Sequence, residues 1–145
     1  MYQLFKITFL IFISLVFGTL LIASQEQANE YWSQGEQAVQ KGELIEAAKK
    51  FSEAAKSELE SSNPRRKFIA NAYHQVGYYC HQAGDFENAV TYYQMALEIN
   101  QQLKGREELI AIESNNMGII LNSWLKYDLS IQYLSIARPL FNKLE

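Results

Sequence analysis

Hydrophobic and polar positions divide the chain into an apolar run without pattern and a longer body with a clear one. From Ile7 to Ala23 only Thr8, Ser14 and Thr19 interrupt the apolar residues. No polar face exists there, so the run predicts a membrane-targeting segment rather than a buried core helix. Its length falls between the roughly 7–15 apolar residues of a secretory signal and the roughly 17–25 of a spanning helix. Two readings therefore stand: a signal peptide cleaved after Ser24, with Ile22 three positions upstream, or a retained N-terminal membrane anchor. Lys6 lies on one flank and Glu26 and Glu30 on the other, which keeps the N-terminus cytoplasmic and exports the body in both cases. No cysteine stands near the cleavage site to carry a lipid. Beyond it the pattern turns helical. Between residues 63 and 100, Asn63-Pro64 predicts an N-cap followed by the first helical residue, and Ala72, Val76, Tyr79 and Cys80 recur at helical spacing until Gly84. Asp85 can cap a second helix, along which Phe86, Ala89, Val90, Tyr93, Ala96 and Leu97 form one stripe.

This helix pair is one copy of a unit that occurs three times. Gly35, Gly77 and Gly118 are spaced by 42 and 41 residues, and the same intervals separate Ala47, Ala89 and Ser130; Phe51, Tyr93 and Leu134; and Ala54, Ala96 and Ala137. In the first two copies Ala28-Asn29-x-Tyr31 also matches Ala70-Asn71-x-Tyr73, and Gly42 matches Gly84, where the third copy has Leu125. Glycine inside a helix costs about 1 kcal/mol against alanine, so its retention at one register predicts close packing, with Gly35 and Gly77 opposite Ala47 and Ala89 and the aromatic beside them. Two short antiparallel helices cannot bury both faces alone, so the copies are expected to stack.

The pattern Tyr73-x2-Val76-Gly77-x6-Gly84-Asp85-Phe86-x2-Ala89-x3-Tyr93-x2-Ala96 resembles a tetratricopeptide repeat. Repeat one carries it as Tyr31, Gly35, Gly42, Ala47, Phe51 and Ala54, and repeat three departs from it at Ser114, Leu125 and Ser130. The long period is similar to the extended repeats of kinesin light chains and of many bacterial sensor and regulator proteins. The resemblance implies an all-α, right-handed superhelical stack of three antiparallel helix pairs, with repeats at about 28–61, 70–103 and 111–144 in a domain covering 25–145. It also implies a concave face built by the first helix of each pair. The contact positions carried over are Trp32, Glu36, Val39 and Gln40; His74, Tyr78, His81 and Gln82; and Asn115, Ile119, Asn122 and Ser123. Aromatics beside amides suit an extended peptide or a partner helix. Trp32 and Tyr78 are taken as exposed contacts, with packing along the groove wall as the alternative. The family's carboxylate clamp uses Lys, Asn and Arg near these points, whereas Trp32, Glu36 and Gln75 stand here, which disfavours a terminal-carboxylate ligand.

Composition and charge narrow the remaining classes. The 145 residues are 48% apolar, but 17 of the first 24 are apolar, so the leader inflates the figure. Without Lys6 the body has 12 basic against 16 acidic side chains, no excess of the kind that binds nucleic acid. His74 and His81 stand seven residues apart, ~10.5 Å along a helix axis and too far for one zinc ion. The single cysteine, Cys80, reads as a buried thiol. No nucleophile elbow, phosphate loop, zinc helix or paired catalytic carboxylates can be picked out, so neither an enzyme nor a cofactor is expected. Arg65-Arg66-Lys67 reads as a solvated flank at a helix start. At the other end Pro139 predicts a kink or an end near Arg138, and Leu140, Phe141 and Leu144 have nothing after them to bury them. That face predicts association with a second copy or another chain, or the front of a larger architecture. The expected function is an exported scaffold for a protein or peptide, the alternative a sensor ectodomain relaying occupancy through its last helix.

Overall fold

The computed structural model describes the backbone of residues 2–144 and, beyond Lys6, Phe9, Ile13 and Gly18, the side chains from Ser24 to Leu144. Six α-helices and no strand occur among the described residues: α1 (Tyr2–Gln40), α2 (Leu44–Leu59), α3 (Arg66–Gln82), α4 (Phe86–Asn100), α5 (Glu107–Ser123) and α6 (Tyr127–Leu144). Each first helix packs on the second of its pair, and each second helix packs on the first helix of the next pair, so three pairs form a stack. The core follows the repeat, with Ala47, Phe51, Ala54, Ala89, Tyr93, Ala96 and Ala137 buried along the second helices.

The glycine register works as a socket. A Cβ at Gly35 would stand 3.0 Å from the Phe51 ring, one at Gly77 2.9 Å from the Tyr93 ring, and one at Gly118 2.6 Å from Leu134 Cγ. The side chain four residues beyond the small position on the second helix fills each glycine's space, as expected of Phe51 and Tyr93.

Each pair turns on the same hydrogen-bonded cap. The N–H of Glu43 reaches the carbonyl of Ala38, that of Asp85 reaches Cys80, and that of Lys126 reaches Leu121. This six-to-one bond closes a helix through a residue in the left-handed region, and φ is +76° at Gly42, +79° at Gly84 and +59° at Leu125. Leucine adopts that conformation at a cost of roughly 1–2 kcal/mol, and the Leu125 side chain recovers little, being 71% exposed. Leu125→Gly should therefore raise the stability by about 1 kcal/mol, read as a higher melting temperature; an unchanged or lower one would contradict the shared-cap account.

Several expectations are corrected. Helix α3 starts at Arg66, two residues beyond Pro64, because a side chain from α2 supplies the cap: Glu58 Oε1 accepts the Arg65 backbone N–H at 2.7 Å. Helix α6 runs through Pro139 to Leu144. The hydrogen bond that proline cannot donate would have ended on the Ser135 carbonyl, and both residues are exposed on the water side. Helix α1 runs without a break from Tyr2 past Ser24 into repeat one. Among the described residues no helix is long and apolar enough to cross a membrane. The side chains that carry the expected leader, Ile7 to Ala23, lie almost wholly outside the described residues.

Candidate functional site

The four carried-over registers separate into two kinds of row across α1, α3 and α5. Trp32, His74 and Asn115 share one register and are all half-buried, and Val39, His81 and Asn122 share another that is half-buried in its first two members. Glu36, Tyr78 and Ile119 form an exposed row, with Tyr78 at 41% and Ile119 at 51%, and Gln40, Gln82 and Ser123 form a second. Four residues make just over one turn, so the two exposed rows lie side by side along the first helices. The half-buried positions lie along one side of them as a wall.

Packing explains why the half-buried row cannot turn outward. Trp32 lies edge-on to Phe51 at 4.9 Å between ring centroids and tilted against Phe68 at 5.3 Å, so it is a wall residue rather than a freely exposed contact. Phe51 stacks on Tyr79 at 5.8 Å, and Tyr79 meets Tyr78 at 5.1 Å, giving an unbroken aromatic ladder from Phe68 to Tyr78. Trp32 Nε1 donates to Glu36 Oε1 at 3.0 Å, tying the wall to the exposed row. Between α1 and α3 this leaves a recess of about 400 Å³ lined by Trp32, Glu36, Val39, Gln40, Phe51, Gln75 and Tyr79. All four groove residues expected from repeat one border it. Gln75 is one of the residues near the clamp points, whereas Phe68 and Tyr79 were not expected here; the signal was there in Tyr79, adjacent to Tyr78 on a helix whose aromatics must share two faces. Burial pushes the Tyr79 phenol above its ordinary value, with the Tyr78 phenol and the Glu36 carboxylate adding to it, so it stays a neutral hydroxyl.

Farther along, His74 is engaged from below. Its Nδ1 lies 3.2 Å from Oε1 of Glu113, a fully buried carboxylate on α5, and its ring stands edge-on to Tyr93 at 5.8 Å. The same oxygen accepts from Asn100 Nδ2 at 2.8 Å, and Asn100 Oδ1 accepts from Arg106 Nε at 2.8 Å. Arg106 Nη2 then donates to Asn71 Oδ1. Tyr93 OH accepts from Asn116 Nδ2 at 3.1 Å, and burial pushes its phenol far above the ordinary value. These bonds lock the second and third repeats together under the groove floor. His81 stacks edge-on against Phe86 at 5.7 Å, so the two histidines have separate partners. Among the described residues no cluster of His, Cys, Asp and Glu could hold a metal. Cys80 is buried as expected, and burial, with Asp85 nearby, pushes its thiol up to about 11.

An equivalent lock joins repeats one and two, and it corrects the reading of Arg65-Arg66-Lys67 as a solvated flank. Glu58, at the end of α2, is fully buried. Besides the backbone bond, Arg65 Nε donates to its Oε2 at 3.0 Å and Nη2 at 2.6 Å, and Nη2 also reaches Asn29 Oδ1 at 3.0 Å. The Arg65 guanidinium lies over the Phe68 ring at 4.5 Å, and Arg66 Nη2 donates to Gln102 at 2.7 Å. Asn29 and Asn71, Glu58 and Asn100, and Arg65 and Arg106 thus perform the same roles one repeat apart.

At the far end of the stack, α6 presents Ile131, Leu134, Arg138 and Phe141 at the registers where α2 has Ala48, Phe51, Ala55 and Glu58, all buried. In α6 these four positions are exposed.

A helix-pair stack with a socket glycine, a left-handed turn and a repeated period of about 42 residues is matched by the family model described as tetratricopeptide repeat, over residues 27–102 and again over 68–143. The chain belongs to the tetratricopeptide-repeat family. No curated protein matches the sequence. Among solved structures it is similar to MamA, with a TM-score of 0.64 at 16% identity over 83% of this chain and 61% of that one. It is also similar to BtubC (BKLC) from P. vanneervenii, with a TM-score of 0.63 at 17% identity over 88% of this chain and 58% of that one. The chain thus spans about three fifths of the length of each, and at these identities the likeness is one of fold. Tetratricopeptide-repeat proteins are generally scaffolds for protein–protein interaction rather than enzymes.

Proposed function

We propose that this chain is a non-enzymatic tetratricopeptide-repeat scaffold that holds an extended peptide or partner segment along α1, α3 and α5. The observation that carries this reading is the exposed double row of Glu36, Tyr78 and Ile119 beside Gln40, Gln82 and Ser123. Two large contact side chains, Tyr78 and Ile119, stand there beside the amides of Gln40 and Gln82 and the carboxylate of Glu36. Aromatics supply contact area with little loss of freedom, and amides satisfy a peptide backbone. The apolar run before Ser24 supports an exported scaffold, periplasmic, extracellular or anchored outside the cytoplasm. An alkaline-phosphatase fusion after residue 145, active only outside the cytoplasm, tests that compartment.

The groove is tested by Tyr78→Ala combined with Ile119→Ala. Both side chains are exposed, so the melting temperature should stay within a few degrees of the parent. Binding to peptides selected on an array by the full chain should fall by roughly tenfold or more. Unchanged binding would refute the groove. A second reading, a sensor ectodomain that relays occupancy, is favoured by the exposed Ile131, Leu134 and Phe141 on α6, where a neighbouring helix could dock in the register that α3 uses on α2. A dimer in light scattering that Phe141→Glu dissociates would support it.

A further inference from the structure

The recess between α1 and α3 has a lining that points to one class of side chain. Its apolar part is Val39 and three aromatics, with Phe51 in ring contact with both Trp32 and Tyr79. Its polar part is one carboxylate, Glu36, and two amides, Gln40 and Gln75, with no lysine, arginine or histidine. Glu36 is exposed, and among the described residues the side-chain hydrogen bond it accepts is the one from Trp32 Nε1 to Oε1. A carboxylate oriented by an indole at the edge of an aromatic wall forms a cation subsite: the rings attract a cation through their faces, and the carboxylate supplies the counter-charge.

The same aromatic ladder already accepts a cation at its other end, where the Arg65 guanidinium lies 4.5 Å from the Phe68 ring centre and Phe68 packs on Trp32. Arg65 is committed to Glu58 and Asn29 and does not line the recess. The body's acidic balance, 12 basic against 16 acidic side chains, agrees in sign.

We infer that this recess selects a peptide bearing a lysine or arginine, whose head binds Glu36 and whose methylene stem or guanidinium plane lies against Trp32 and Tyr79. Gln40 and Gln75 take the adjoining peptide backbone. This rests on the groove reading above and adds the chemistry of its occupant.

The test is an array of N-acetylated, C-amidated ten-residue peptides in which the central residue is Arg, Lys, citrulline, norleucine or Glu on otherwise identical neutral sequences, probed with the full chain. Arg and Lys should bind roughly tenfold better than citrulline and norleucine, with Glu weakest. Glu36→Gln should erase the difference between Arg and citrulline while leaving residual binding, and Glu36→Lys should invert it in favour of Glu. Glu36 is exposed, so both variants should keep the parent's circular-dichroism melt, which separates loss of charge from loss of fold. Binding that Tyr78→Ala with Ile119→Ala abolishes, but that shows no basic preference or a preference untouched by Glu36→Gln, would overturn this inference and leave the groove standing. A basic preference that responds to Glu36, in binding that the Tyr78 and Ile119 changes weaken without abolishing, supports the subsite within the groove. Absence of binding to every peptide would overturn both.

Discussion

Replacing Arg65 by methionine should destabilise the protein by about 3 kcal/mol, more than any surface charge change. Removing the guanidinium strips buried Glu58 of two charge-assisted hydrogen bonds and leaves a carboxylate with no counter-charge at the junction of repeats one and two. The Arg65 side chain is itself 39% exposed, which keeps the loss at the lower end of what breaking a buried pair costs. The double change Arg65→Met with Glu58→Leu should cost less than Arg65→Met alone, since no buried charge remains. A double variant less stable than the single would refute the clamp.

The same pair sets a pH dependence with a definite sign. Burial raises the pKa of Glu58, but the hydrogen bonds and charge of Arg65 outweigh it and hold the group below its ordinary 4.5. A carboxylate depressed on folding contributes stability that is fully present above its unfolded value and is lost as pH falls through the folded one. Denaturant titrations should therefore show the parent's advantage over Glu58→Gln undiminished from neutral pH to about 5 and shrinking below 4.5.

The second large effect is at the glycine sockets, and distance alone does not rank it. Gly77→Ala should destabilise by about 1–2 kcal/mol even though alanine is the better helix former by about 1 kcal/mol. The new Cβ would meet the Tyr93 ring, which is fully buried and tethered through its hydroxyl to Asn116, so the ring has nowhere to go. Gly118→Ala brings a Cβ nearer to its neighbour, but that neighbour is Leu134, which is 37% exposed and has open solvent beside it where the Tyr93 ring has none. Its net effect should lie within about 0.5 kcal/mol of zero, helix propensity offsetting the contact. Thermal melts of the two variants side by side check this; equal losses would mean that backbone approach, not the ring, requires the glycines.

These two features also mark how far the sequence could be read. The sockets were legible because packing repeats them: glycine and its ring or leucine partner recur at one interval, and their residue types declare the role. Gly84 and Asp85 announced a turn and a cap, and Asp85 Oδ1 does accept the Asn88 N–H. The Arg65 clamp was not legible, because charges opening a helix look solvated, and no local pattern reveals that Glu58, at the end of the preceding helix, is buried. The spacing of Arg106 from Arg65, matching that of the glycines, was the available clue. Pro139 does not end the helix, because its cost applies where the freed carbonyl is shut off from water, and here it faces outward. In the candidate site the alignment of the first-helix positions into rows was readable from the repeat. Which of them become walls was not, since that depends on Phe51 and Phe68 reaching Trp32 from other helices.

We propose the exposed double row on α1, α3 and α5 as the binding surface. It is tested most directly by placing a photo-crosslinking amino acid at Tyr78 in one variant and at Ile131 in another, each irradiated with the tightest peptide from the array. A covalent adduct is expected at position 78, competed away by excess unlabelled peptide, with none at position 131. An adduct at 131 with none at 78 would contradict it and move the binding surface to α6.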